Sequence, residues 1–268
     1  MRLWIFSDLQ LDNPGHRDAP WSMQVPKDTD VAVVAGDVHG PLTRSVAKLA
    51  TLAAHVPVVY VPGNRDYYPL DGRAGWPGRT MGDLERDAAE AAREAGVTLL
   101  MDDTAVVAGV RFFGGTLWPD FNLYGDPVAA VAAAREGMND YRAIVGDDGR
   151  TFTPEAAQAR HARTRMALAT ALASPHAGPT VVVTHLAPHA GSVQARFVDD
   201  PMTPSFASDM SDFMDGPVAP DLWVHGGMHH NCDHVVGRTR ILSNSRGYPH
   251  ENLSFDPAMV VDLGARGA

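Results

Sequence analysis

The sequence has a single cysteine, Cys232, so no internal disulfide framework is available to it. It also lacks any apolar run approaching the roughly 20 residues that a membrane helix needs. At the N-terminus there is no basic region followed by a long apolar stretch and a cleavage site. The chain runs at once into Arg2-Leu3-Trp4-Ile5-Phe6, which reads as a strand. These absences predict a cytoplasmic protein with no membrane partner. Basic residues are in deficit, 22 Lys and Arg against 32 Asp and Glu, for a formal charge of −10. A net acidic surface repels long polyanions and disfavours a nucleic-acid-binding module, yet it leaves room for a local cationic pocket that takes one phosphate. Internal repeats, low-complexity tracts and linkers are missing too, so residues 1–268 are expected to form one domain.

What is present is a series of short apolar, β-branched runs, each closed by a polar or glycine-rich turn. They are Leu3 to Phe6, Val31 to Ala35, Val58 to Val61, Val181 to Val183 and Leu222 to Val224. Runs that are apolar throughout suit strands buried on both faces, as in a sheet covered by helices. Helical patterns lie between them. Leu42 to His55 has the spacing of a βαβ crossover. Leu84 to Ala95 ends at Gly96, a C-cap signal, and Pro154 to Ala173 begins after Thr153, an N-cap signal. A further helix is expected over Pro127 to Ala134. Residues 67–82 and 191–204 read as long loops, the kind that form lids, binding loops or simple surface variation.

The polar residues fall in a pattern. Asp8, Asp37, Asn64, His185 and His229 each lie just after a strand-like run. In an open α/β sheet, ligands bind outside the carboxyl ends of the strands, so these five donors are expected to converge. Oxygen and imidazole donors together suit Mn, Fe, Zn or Mg-type ions rather than a thiolate site. Taken singly, each has an ordinary alternative as a turn residue, an N-cap or a buried histidine. The ordered set is more specific than any member.

That set resembles the calcineurin-like metallophosphoesterases, in a bacterial branch. Gly36-Asp37-Val38-His39-Gly40 is similar to their GDxxG motif, and Val61-Pro62-Gly63-Asn64-Arg65-Asp66 to their VPGNHE segment. Val182-Val183-Thr184-His185 resembles the strand that carries an isolated ligand histidine. His225-Gly226-Gly227-Met228-His229 resembles the GHxH segment, and Ser243-Asn244-Ser245-Arg246-Gly247-Tyr248 a turn of the bacterial branch. The resemblance runs from Met1 to about Leu263. It implies an α/β fold, a metallophosphoesterase-type sandwich of two mixed β-sheets flanked by helices. It also implies a two-metal site, with Asp8, bridging Asp37, His229 and Gln10 on one ion and Asp37, Asn64 and His185 on the other.

The match fails at several positions. The first motif has Gln10 in place of a histidine, a weaker ligand. Arg65 stands where the family has its acid, and an arginine cannot deliver a proton. Leu186 and Gly227 replace two further histidines. The sequence therefore predicts one divalent ion (Mn, Fe or Zn) at most, or none, with Arg65, Asp37 and His185 as catalytic residues. Arg65 is expected to supply counter-charge to Asp8 and Asp37, or to grip a phosphate or carboxylate in bidentate fashion; otherwise it swings to solvent. His39 and Arg246 are further candidates for substrate contact.

Three readings remain open at this point. The first is an altered hydrolase that cleaves a specific phosphoester or another labile bond of a small anionic substrate. The second is a metal-free pseudoenzyme that binds an anionic ligand or a protein. The third is repurposed, non-phosphoester chemistry using Arg65, with Trp118, Phe121, Tyr124 and Tyr141 either walling an apolar pocket or packing in the core. The segment from His225 to His234 is dense in donors. A relocated metal site on His230, Cys232 or His234 is one account of it and a histidine-rich solvent loop the other.

Overall fold

The computed structural model describes residues 1–16, 24–69 and 79–264. Two mixed β-sheets lie face to face with helices outside. The first sheet has the order β11-β1-β2-β3-β4, formed by Val260–Asp262, Arg2–Phe6, Val31–Ala35, Val58–Val61 and Val97–Leu99. β1 to β4 pair in parallel and β11 closes the edge antiparallel to β1. The second sheet has the order β5-β6-β7-β8-β10-β9, formed by Asp103–Val107, Val110–Gly115, Thr180–Thr184, Leu222–His225, Thr239–Ser243 and Cys232–Val236. Its middle pairs are parallel, and both outer pairs are antiparallel hairpins.

The apolar runs follow from this layering. Alternate residues of one strand enter two different cores. Leu3, Ile5, Val31 and Val33 face Phe112, Val181, Val183 and Val224 across the interface between the sheets. Their neighbours Trp4, Phe6, Val34 and Tyr60 pack under α1 (Leu42–Ala53) and α2 (Met81–Ala95). On the far side, Phe113, Val182, Trp223 and Ile241 pack under α5 (Pro154–Ala173). Strand burial on both faces is thus as the sequence indicates, but one cover is a second sheet rather than helices.

The helices differ from the sequence reading mainly at their ends. α5 starts as expected, with Thr153 Oγ1 accepting from Ala156 N at 3.2 Å and Pro154 in the first turn. α2 begins three residues before Leu84, because Thr80 and Asp83 form a reciprocal capping box; its C-cap Gly96 is left-handed, φ 70°. α3 (Pro127–Gly137) is capped by Asp126 and runs past Ala134, and a single turn, α4 (Asp140–Ala143), follows it. Of the two expected loops, 70–78 falls outside the described residues. Residues 191–204 hold short 3-10 turns. The segment expected as a histidine-rich loop is in part an edge strand, since β9 carries Cys232 and His234.

Candidate active site

The carboxyl ends of β1, β2, β3, β7 and β8 gather on one side of the sandwich, and five polar side chains follow them. Asp8 and Asp37 take left-handed backbone angles, φ 54° and 56°, which turn the chain sharply off the sheet. Asp66 fixes that turn. Its Oδ2 accepts from the backbone N–H groups of Asp37 and Gly63 at 2.9 and 2.8 Å. Its Oδ1 accepts from those of Val38 and His39 and from Ser45 Oγ. Gly63 is required here, since a Cβ would overlap the Asp37 carboxylate.

Asp8, Asp37 and His185 each present one ligand atom within 4.8 Å of the others. They are the only such group of three His, Cys, Asp or Glu residues among the described residues. His185 Nδ1 donates to Ala35 O at 2.8 Å, because a carbonyl can only accept. That leaves Nε2 facing inward, 3.5 Å from Asp37 Oδ1 and 3.1 Å from Asn64 Oδ1. Asn64 is aimed by Asp140, whose Oδ1 accepts from Asn64 Nδ2 at 2.8 Å and from the Tyr68 hydroxyl at 2.5 Å. His229 is built the same way. Its Nδ1 lies 2.7 Å from Glu251 Oε2, and its Nε2 faces Asp8 Oδ1 at 3.4 Å and Gln10 Nε2 at 3.0 Å. Outer carboxylate or carbonyl partners of this kind orient imidazoles for metal binding. Gln10 Oε1 is buried without a hydrogen-bond partner among the described residues, a further oxygen suited to a cation. The donor set therefore fits a divalent ion.

The electrostatics are those of two carboxylates held in a dry place. Burial pushes Asp37 up to about 7 against the pull of His185, with Asp66 and Asp8 adding to the rise. Burial also acts on Asp8, but the hydrogen bond and charge of His229 outweigh it and hold that carboxyl below its ordinary range. Burial disfavours charge on both imidazoles as well. The carboxylates of Asp37 and Asp8 nonetheless lift His185 above its usual value, and contacts with Asp8 and Glu251 lift His229 to about 10.

Arg65 sits at the edge of this cluster rather than in solvent. Its backbone N–H donates to Asp37 Oδ1 at 2.9 Å. Its guanidinium lies 5.5 Å from the ring centres of both Tyr68 and Tyr248, donates to the Tyr248 hydroxyl at 3.1 Å, and stands 3.9 Å from Asp12. Among the described residues its contact ion pair is with Asp12 and not with Asp8 or Asp37, while across the site its charge and that of Asp37 still favour one another.

A cleft of about 310 Å³ opens over these groups, lined by Asp37, Asn64, Arg65, His185, His229 and Tyr248 among others. Four sequence candidates are not on its lining: the buried Asp8 and Gln10, and also His39 and Arg246. His39 turns its Nδ1 to Gly40 O at 2.5 Å, and Arg246 reaches Leu9 O at 3.4 Å. Trp118, Phe121 and Tyr141 are buried in the main core and Tyr124 is exposed, so none of these aromatics lines this cleft. His230 turns to Met228 O, and Cys232 lies against Ser192 and His225, so no metal cluster forms on that segment among the described residues. Sequence reading did not single out Asp66, Asp140, Glu251 or Tyr68. Asp66 carried a signal, since it falls two residues after Asn64 in the motif; Asp140 and Glu251 carried none.

The family model for calcineurin-like phosphoesterase matches residues 1–231. The chain is 22% identical over 250 residues to the uncharacterised protein L509 of Acanthamoeba polyphaga mimivirus, covering 89% of this chain and 85% of that one. Among solved structures it resembles the phosphopantetheinyl hydrolase PptH from Mycobacterium tuberculosis, with a TM-score of 0.67 and 19% identity over 93% of this chain and 90% of that one. That likeness is one of fold. With the family model spanning most of its length, this chain belongs to the calcineurin-like phosphoesterase family.

Proposed function

We propose that the chain is an altered phosphoester hydrolase that holds one divalent ion and acts on a small anionic substrate. The observation that carries this reading is the buried trio Asp8, Asp37 and His185, whose ligand atoms converge within 4.8 Å. Asn64 Oδ1, 3.1 Å from His185 Nε2, and the buried Gln10 Oε1 are neutral oxygens suited to completing the ion's shell. A divalent ion there supplies Lewis acidity that draws charge from a phosphoryl oxygen and lowers the pKa of water. The protein's own groups do the rest. Arg65, held between two tyrosine rings, offers a fixed fork to the non-bridging oxygens of a phosphoryl group. Glu251 and Asp140 hold His229 and Asn64 in orientation.

One observation favours a metal-free, anion-binding alternative. The Asp8 carboxylate already accepts from Gly227 N and faces His229, so its charge is partly answered by protein groups. Elemental analysis separates the two readings. Protein equilibrated with Mn, Fe or Zn and then desalted should retain one ion per chain, lost in Asp37→Ala, and should hydrolyse phosphoesters. Absence of retained metal together with absence of hydrolysis sinks the hydrolase reading. A single compartment is proposed for this activity, the cytoplasm; among the described residues no helix is long and apolar enough to cross a membrane.

A further inference from the structure

The cleft has a second half that the phosphoryl chemistry does not use. Beyond the polar donors its lining takes in Met138, Phe197, Met202, Phe206 and Met228, alongside Asn139, Asp200 and Thr203. These come from separate parts of the chain: the residue that caps α3, the 3-10 turns between residues 195 and 206, and the segment after β8. The wall is built rather than incidental. Gly137, the last residue of α3, sits so close to Met202 that a Cβ there would stand 2.7 Å from the sulfur, so the loop is seated directly on the helix end. Thr203 Oγ1 donates to Phe197 O at 2.6 Å, and Asp200 Oδ1 accepts from Met202 N at 2.8 Å, which locks the turns that present Phe197 and Met202. Met202 and Phe206 back onto the main hydrophobic core, whereas Phe197 is 38% exposed at the rim.

Resting on the hydrolase reading above, we infer that this wall selects a phosphoester whose organic group is apolar and ring-sized, seated against Met138, Phe197, Met202, Phe206 and Met228 while the phosphoryl group meets Arg65 and the metal donors. Burying apolar ligand surface against such a wall is favourable and directionless, and methionine thioethers adapt to aromatic faces. The volume is at the small end of the range for small-molecule pockets, roughly 300–1,000 Å³, which suits one phosphoryl group and one ring. A bare inorganic phosphate leaves this half of the cleft in water and gains nothing from it.

The test compares two non-hydrolysable probes with the same head group, methylphosphonate and phenylphosphonate, by calorimetry on the full chain with Mn²⁺ in excess. Phenylphosphonate should bind about tenfold tighter or better. In Phe197→Ser and in Met202→Ser that preference should shrink toward unity while methylphosphonate affinity holds. Phe197 is at the rim, so its variant keeps the test intact if Met202→Ser fails to fold. Equal affinity for the two probes in the unaltered protein, or a preference untouched by both variants, overturns the inference and leaves the hydrolase reading standing. Failure of both probes to bind overturns the hydrolase reading and this inference with it.

Discussion

The backbone N–H of Gly227 donates to the Asp8 carboxylate, 3.0 Å from Oδ2 and 3.3 Å from Oδ1. A position that would carry an imidazole in the motif it resembles here contributes a main-chain donor. A Cβ at this residue would lie 3.6 Å from His185 Nε2, so a side chain placed there enters the metal-donor cluster directly.

Gly227→His should therefore raise the metal content of the equilibrated protein from one ion per chain to two. The backbone is left-handed, φ 70°, and a Cβ would press within 3.1 Å of His185 O and Leu186 Cδ2. The variant should accordingly lose about 1–3 kcal/mol of stability. Elemental analysis and urea unfolding read the two effects separately. A variant that folds and still holds one ion shows that the missing imidazole is not what limits the count.

Arg65→Lys should weaken methylphosphonate binding by about tenfold, because an ammonium replaces a planar fork. Stability should change little, since each cation–π contact of a partly exposed guanidinium contributes about 0.5–1 kcal/mol. Calorimetry and a melting curve on the same sample check this. An unchanged affinity would remove Arg65 from the binding site.

A pH dependence follows from Asp37 in metal-free protein. Its folded pKa is raised from the ordinary 3.8 to about 7, so between those values the folded chain holds a proton that the unfolded chain has released. Stability must then fall as pH rises through that window, and His185, also raised, acts in the same direction. Asp37→Asn escapes the main part of this loss. In EDTA it should match the unaltered protein at pH 5 and exceed its stability at pH 8, by a margin on the order of a few kcal/mol at most. With Mn²⁺ present the order at pH 8 should reverse. Urea midpoints at the two pH values, with and without metal, settle the matter.

Asp66→Asn should destabilise the fold by about 2 kcal/mol or more. The carboxylate accepts from four backbone N–H groups and one hydroxyl, and an amide NH₂ would face donors with a donor. Metal retention should drop as well, since the same bonds set the Asp37 turn. Loss of stability with full metal retention would separate the two roles.

Much of this site was legible in the sequence because its donors follow directly on apolar strands. Asp8, Asp37, Asn64 and His185 need only the strand ends to be right for their positions to converge. The supporting groups had no such signal. Asp140 is one turn of helix in an unpatterned stretch, and Glu251 lies in a coil, so nothing local ties either to the histidine or asparagine it orients. The hairpins β5–β6 and β9–β10 were missed for a related reason. Their outer strands β5 and β9 have no fully buried residue, as in Asp103-Thr104-Ala105 and Cys232-Asp233-His234, and lack the all-apolar stamp of the central strands. The apolar wall was hidden because Phe197 and Met202 sit in turns, where hydrophobic periodicity says nothing.

The turn after β10 braces the end of β1 from the other end of the chain. Ser7 N donates to Asn244 O at 3.1 Å, Arg246 N to Ser7 O at 3.0 Å and Gly247 N to Asp8 O at 3.1 Å, while Glu251 orients His229. Asp8 therefore waits on partners more than 230 residues further along the chain. The nascent chain thus has no completed cage to offer a cation until residue 251 has emerged. An ion held by this cage would therefore be taken only after the turn has closed on Asp8.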